Sequence, residues 1–189
     1  MNKLLTVISA AALLTVIAGP VYADHNEKTV FVTSAKFKSN LGGLTGADDK
    51  CQAEADDPAS IVPSGTYLAW LSDGFDSPVT RFTKSSHPYM LPDGTKIAED
   101  FTDLTDGSIL HKINSDPTGK RLGLQDFWTG TLADGTTAQQ VVTCKGWKAD
   151  PLSDGRGMHG RTNQTRSTWS TMHTDRACGR SLRLLCFQQ

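Results

Sequence analysis

The sequence predicts an α+β domain of short strands, one clear helix and many ordered loops. Three observations lead there. Strand-like runs rich in β-branched and aromatic residues are brief, and the single helical stretch is bounded by Gly42-Gly43 and Pro58. Leu-x-Asp-Gly occurs five times, at 71–74, 91–94, 104–107, 132–135 and 152–155. Asp-Gly tolerates positive φ and favours tight turns, while the leucine ahead of it drops into a core. The spacings are irregular, which excludes a solenoid repeat. Finally, Cys51, Cys144, Cys178 and Cys186 follow an export leader, and an even count in an exported chain reads as two disulfides. Their layout suits a nested pair, although arithmetic alone leaves three connectivities open.

In chain order, residues 1–23 read as a signal peptide. Lys3 gives the positive start, and residues 4–18 are apolar except for Thr6, Ser9 and Thr15. Gly19-Pro20 ends the run, and Val21 and Ala23 are small residues where a signal peptidase inspects. Cleavage after Ala23 leaves one domain, residues 24–189, expected to be periplasmic, cell-surface or secreted, with no membrane insertion. Thr29-Val30-Phe31-Val32-Thr33 reads as a strand. Thr45-Gly46-Ala47-Asp48 has the form of a capping box opening a helix to about Ala55. Leu44, Ala47, Cys51 and Ala55 share one stripe, so Cys51 is expected to face the core. Residues 66–71 read as a second, buried strand.

The charge is unevenly distributed. Residues 24–143 carry 10 basic and 17 acidic side chains, whereas residues 144–189 carry 8 basic and 3 acidic ones. Such segregation marks either a polyanion-binding face or two halves whose charges neutralise each other on folding. Residues 155–161, Gly-Arg-Gly-Met-His-Gly-Arg, hold too many glycines for a regular element and are expected to form an arginine-bearing loop. The candidate ligand-binding residues are Arg156, Arg161, Arg166, Trp169, Arg176 and Arg180. Arginine's planar fork suits sulfate, phosphate or carboxylate. Trp147 and Trp169 are candidates to stack on a sugar, while Trp128 and Trp147 are expected in the core.

Catalytic and metal-binding patterns are missing. His25, His87, His111, His159 and His173 form no helical zinc pair, and there is no Gly-x-Ser-x-Gly elbow or phosphate-cradling glycine loop. The aspartates occur mostly singly, one per turn, unlike a calcium loop; Asp103, Asp106 and Asp126 come nearest to a cluster. No cofactor, metal, catalytic residue or nucleic-acid partner is expected.

One set of motifs carries a family likeness. Gly43-Leu44-Thr45-Gly46-Ala47-Asp48-Asp49-Lys50-Cys51, Tyr67-Leu68-Ala69-Trp70-Leu71-Ser72, Phe127-Trp128-Thr129-Gly130, Cys144-Lys145-Gly146-Trp147 and Leu184-Leu185-Cys186-Phe187 resemble the ordered motifs of endostatin domains. With Phe31-Val32-Thr33-Ser34, they resemble the DUF1554 family of bacterial exported proteins still more closely. The resemblance implies a C-type-lectin-like fold: a twisted antiparallel sheet, one or two helices and long ordered loops. It also implies the disulfides Cys51 to Cys186 and Cys144 to Cys178. The calcium-and-sugar triplets of C-type lectins and the zinc histidines of endostatins have no counterpart here. The expected function is a non-enzymatic binding or adhesion module for an anionic glycan, an extracellular matrix or host protein, or another extracellular ligand. The alternatives are an envelope enzyme on the same scaffold and a structural subunit of an envelope assembly.

Overall fold

The computed structural model describes residues 26–138, 142–148, 155–172 and 175–189. The leader and the fifth Leu-x-Asp-Gly, apart from Gly155, lie outside the described residues. The fold is α+β with two small sheets and few helices. The larger sheet contains β1 (Lys28–Val32), β2 (Tyr67–Ala69), β3 (Tyr89–Met90), β4 (Lys96–Ala98) and β8 (Leu185–Gln188), in the order β2-β8-β1-β3-β4. The smaller sheet is antiparallel, with β6 (Arg156–Arg161) between β5 (Asp126–Trp128) and β7 (Asp175–Ala177). The 13-residue helix α1 (Gly43–Ala55) is joined by three four-residue turns, α2 (Pro78–Arg81), α3 (Phe101–Leu104) and α4 (Cys144–Trp147).

The expected single antiparallel sheet is therefore corrected to two. β1 pairs antiparallel with β8 on one side, Phe31 opposite Cys186, and parallel with β3 on the other, Lys28 opposite Tyr89. A parallel bridge between Phe127 and Arg183 joins the smaller sheet to the chain entering β8.

Alternation along the strands divides the core. Successive side chains of a strand point to opposite faces, so Val30 and Val32 enter one cluster and Phe31 the other. Leu185 and Phe187 on β8, and Phe127 on β5, join the first; Cys186 and Trp128 join the second. The first cluster is aromatic at its centre, with Trp70 packed 5.0 Å from Trp169 and 5.2 Å from Phe187. The second holds all four cysteines together with Trp128 and Trp147, both fully buried as expected. Cys51 on α1 is bonded to Cys186 on β8 across 135 residues, and Cys144 is bonded to Cys178 across 34. This is the nested pairing.

The capping box at Thr45 does not form. The N-cap of α1 is Gly42, in the left-handed region at φ 92°. Asp48 instead accepts from the Ala69 amide at 2.9 Å and pairs with Arg81, tying α1 to β2 and α2. The carboxylate does more there, because it satisfies an otherwise unpartnered strand donor and a half-buried cation.

The Leu-x-Asp-Gly turns follow their chemistry. Gly74, Gly94, Gly107 and Gly135 all have positive φ. Asp73, Asp93, Asp106 and Asp134 each accept from the backbone amide two residues on. Leu71, Leu91 and Leu104 are buried.

Residues 156–161 form a strand, not the expected loop. The glycines are there for close approach, which is the other reason a strand carries glycine. A Cβ on Gly157 would lie 2.7 Å from Trp128 and 2.9 Å from Cys144 Sγ. On Gly160 it would lie 2.2 Å from the Trp169 carbonyl oxygen and 2.6 Å from the Phe127 ring. Gly160→Ala is accordingly expected to destabilise by about 2 kcal/mol or more, as overpacking does. Gly123→Ala, with open space around its Cβ, is expected to stay within about 0.5 kcal/mol of wild type. Urea unfolding of the two variants checks this.

Candidate functional site

The six predicted ligand residues do not share one loop. Arg161 lies in register opposite Asp126. Its Nε donates to Asp126 Oδ1 at 2.8 Å, and Arg176 donates to Oδ2 through Nε at 3.0 Å and Nη2 at 2.6 Å. Arg156 is bound to Asp175, its Nε donating to Oδ1 at 2.7 Å. Trp169 is a correction: at 1% exposure it is a core residue packed on Trp70, with no face to offer a ligand. Arg166 is exposed beside its backbone bridge to Ser108, and Arg180 is exposed just past Cys178. Neither side chain has an ion-pair partner among the described residues.

His159 lies behind the Asp126 cluster. It is fully buried, with Nε2 3.7 Å from Asp126 Oδ2 and no hydrogen-bond partner on either ring nitrogen. Burial pushes its pKa down to about 4 despite the attraction of Asp126, and Arg176 and Arg161 push the same way, so the ring is neutral. Burial pushes the Asp126 carboxyl up. The hydrogen bonds and charges of Arg161 and Arg176 outweigh that and hold it below the usual carboxylate range. Both arginines are thus engaged in cross-strand pairing in the small sheet. In this region the two charge halves neutralise each other.

Several cations without an acidic ion-pair partner among the described residues are found around α4. Cys144, Lys145, Gly146 and Trp147 all have positive φ, at 49°, 57°, 65° and 62°, so this turn winds left-handed. Such winding costs an L-residue roughly 1–2 kcal/mol each and persists only where the surroundings over-determine it. Here they do. Cys144 is bonded to Cys178, and the Trp147 indole packs on Trp128 and donates to the Ser72 carbonyl at 2.8 Å. Thr143 Oγ1 accepts from the Gly146 amide at 3.1 Å. With Cys144 and Trp147 anchored inward, Lys145 and Lys148 are exposed.

Neighbouring segments bring further cations to the same end. The Gly42 amide donates to the Trp147 carbonyl, and Ser39 donates through both N and Oγ to the Cys178 carbonyl. Phe37 exchanges backbone hydrogen bonds with Leu182. Lys36 and Lys38 flank Phe37 and are exposed. Lys50 Nζ lies 5.8 Å over the Phe37 ring and donates to the Leu41 and Gly46 carbonyls, both at 3.1 Å. Lys36, Lys38, Lys50, Lys145, Lys148 and Arg180 have no acidic ion-pair partner among the described residues. Of these, only Arg180 is in the predicted ligand set. Lys145 and Lys148 belong to the basic segment, but Lys36, Lys38 and Lys50 join it only through folding, and no local motif marks them.

The aspartates nearest to a cluster are spread among separate tasks. Asp103 accepts from the Glu99 amide, Asp106 from Ser108, and Asp126 from the arginines. Among the described residues no group of three or more His, Cys, Asp or Glu is placed to hold a metal ion, and no helix is long and apolar enough to cross a membrane. No protein-family profile and no curated protein matches the chain.

The Asp126–His159 geometry gives a pH dependence. With a pKa of about 4 in the folded state against 6.5 for an ordinary histidine, the unfolded chain takes up this proton first. The contribution of the neutral ring to stability is therefore full above pH 6.5 and is lost progressively as pH drops towards 4. The depressed Asp126 carboxyl adds a further loss below its ordinary value of 3.8. His159→Gln is expected to flatten the slope between pH 6.5 and 4, measured by urea unfolding at stepped pH. An unchanged slope in the variant would contradict the assignment.

Proposed function

We propose that the chain is an exported, non-enzymatic binding module of C-type-lectin-like, endostatin-like type, akin to the DUF1554 proteins, whose basic end captures a polyanionic glycan. The observation behind this reading is the six cations without acidic partners around the left-handed turn at α4. Two disulfides fit an oxidising, extracytoplasmic compartment, and the leader-like residues 1–23 agree with export. The nested pairing is the one the endostatin resemblance implies.

The chemistry favours an extended polyanion over a single small anion. The cations come from three separated stretches of chain and are mostly solvent-exposed. Each contributes little alone, and salt screens each over about 8 Å at physiological ionic strength. Several together attract a ligand that carries repeated charge. Backbone strain held beside them is a feature of binding surfaces, and here Lys145 lies within the strained turn with its side chain exposed.

Lys145 gives a clean test, because glycine accepts φ 57° without steric cost. Lys145→Gly is expected to leave stability within about 1 kcal/mol of wild type or to raise it. Combined with Lys148→Gln and Arg180→Gln, it is expected to abolish retention on an immobilised sulfated polysaccharide at physiological salt. Wild-type binding should weaken steeply as salt rises. Unchanged retention in the triple variant, or loss of retention in Arg156→Ser/Arg166→Ser instead, would overturn this reading. Retention on an immobilised matrix protein but not on the polysaccharide would also overturn it.

A further inference from the structure

A concavity on the described surface shares no residue with the basic end and does not depend on it. It is a cleft of about 550 Å³ between the 110–114 segment, Thr95, Arg121 and Thr165. Its polar groups are pre-set by hydrogen bonds behind them. Arg121 Nη1 donates to Asn114 Oδ1 at 2.7 Å, and Nη2 donates to Thr95 Oγ1 at 2.8 Å and pairs with Asp93. This anchors the guanidinium. It also orients the Asn114 amide, because Oδ1 accepts from Arg121 and Nδ2 keeps both of its hydrogens for a ligand.

The neighbouring histidine is fixed in the same way. His111 Nδ1 lies 2.8 Å from the Lys96 carbonyl oxygen. A carbonyl only accepts, so Nδ1 carries the proton and Nε2 of the neutral ring presents a lone pair. Lys112 is exposed with no partner among the described residues. Leu110 is 49% exposed and supplies an apolar surface at the same cleft. The lining thus combines a free ammonium and amide donors, one acceptor that needs an O–H, the Thr165 hydroxyl, and an apolar platform.

We propose that this cleft is a binding site for one acidic sugar residue, a hexuronic acid. The carboxylate takes Lys112 and the Asn114 Nδ2 hydrogens, a ring hydroxyl donates to His111 Nε2, and the apolar ring face lies on Leu110. A neutral sugar leaves Lys112 unanswered. An inorganic anion leaves His111 Nε2 and Leu110 without partners. An isolated unit in so open a cleft binds weakly, with Kd on the order of 1 mM.

The test is a titration of the oxidised protein with glucuronate, and separately with glucose, followed by amide shifts in ¹H–¹⁵N spectra. Glucuronate is expected to move the amides of 110–114 and Thr165, with glucose at least about tenfold weaker. Asn114→Asp keeps the acceptor for Arg121 but removes the amide donor and adds a negative charge. It is expected to weaken glucuronate at least about tenfold. The surface change Lys112→Gln is expected to weaken it about threefold or more. Equal binding of glucose overturns the proposal, as does glucuronate at full strength in both variants or no shift at 110–114. Shifts confined to Lys145, Lys148 and Arg180 also overturn it. That last outcome would leave the basic end standing, and loss of polysaccharide retention in the basic-end variant leaves this cleft untouched.

Discussion

Everything else in the fold depends on closing the two ends of the chain against each other. β8 lies between β1 and β2, pairing antiparallel with both, and Cys186 within it is bonded to Cys51 on α1. Three distant stretches of sequence therefore meet at one strand. Chain-entropy arithmetic for a closed loop of 135 residues gives about 5 kcal/mol, against about 4 for the inner loop. The outer bridge also crosses the sheet between helix and strand, where Phe31, Tyr67 and Ala69 are buried around it.

The inner bridge has a different task. Cys178 carries the Ser39 hydrogen bonds, and Cys144 begins a left-handed turn whose Trp147 reaches across to Ser72. The bridge thus shapes one end of the molecule rather than closing the whole. The glycines of β6 belong to this local packing, because Gly157 leaves room for both Trp128 and Cys144 Sγ. Glycine, a residue type that suggests mobility, marks close packing here.

Much of this was legible from the residues. The β-branched and aromatic run Thr29-Val30-Phe31-Val32-Thr33 reads as a strand and forms one, and four described Asp-Gly turns fold as their chemistry requires. The stripe carrying Cys51 faced the core as read. The failures share one physical cause: tertiary partners redirect local signals. Asp48 leaves the helix terminus for Arg81 and the Ala69 amide, the glycines near Arg156 serve tryptophan and phenylalanine rings, and Trp169 packs on Trp70. The candidate surface was half legible. The basic excess after Cys144 is visible in the composition, but Asp126 and Asp175 take up its central arginines. Lys36, Lys38 and Lys50 replace them through backbone pairing that no local pattern encodes.

The central claim is that the outer bridge and β8 hold the frame, while the inner bridge shapes only the basic end. Native-state hydrogen exchange on the Cys144→Ser/Cys178→Ser double variant tests this most directly. The Thr33 and Trp70 amides, bonded to Leu184 and Leu185 carbonyls at 2.9 and 2.8 Å, are expected to keep their protection relative to global unfolding. The Ser39, Gly42 and Trp147 amides are expected to lose theirs. Collapse of protection at Thr33 and Trp70 together with Gly42 would contradict the division and make the two bridges one cooperative unit.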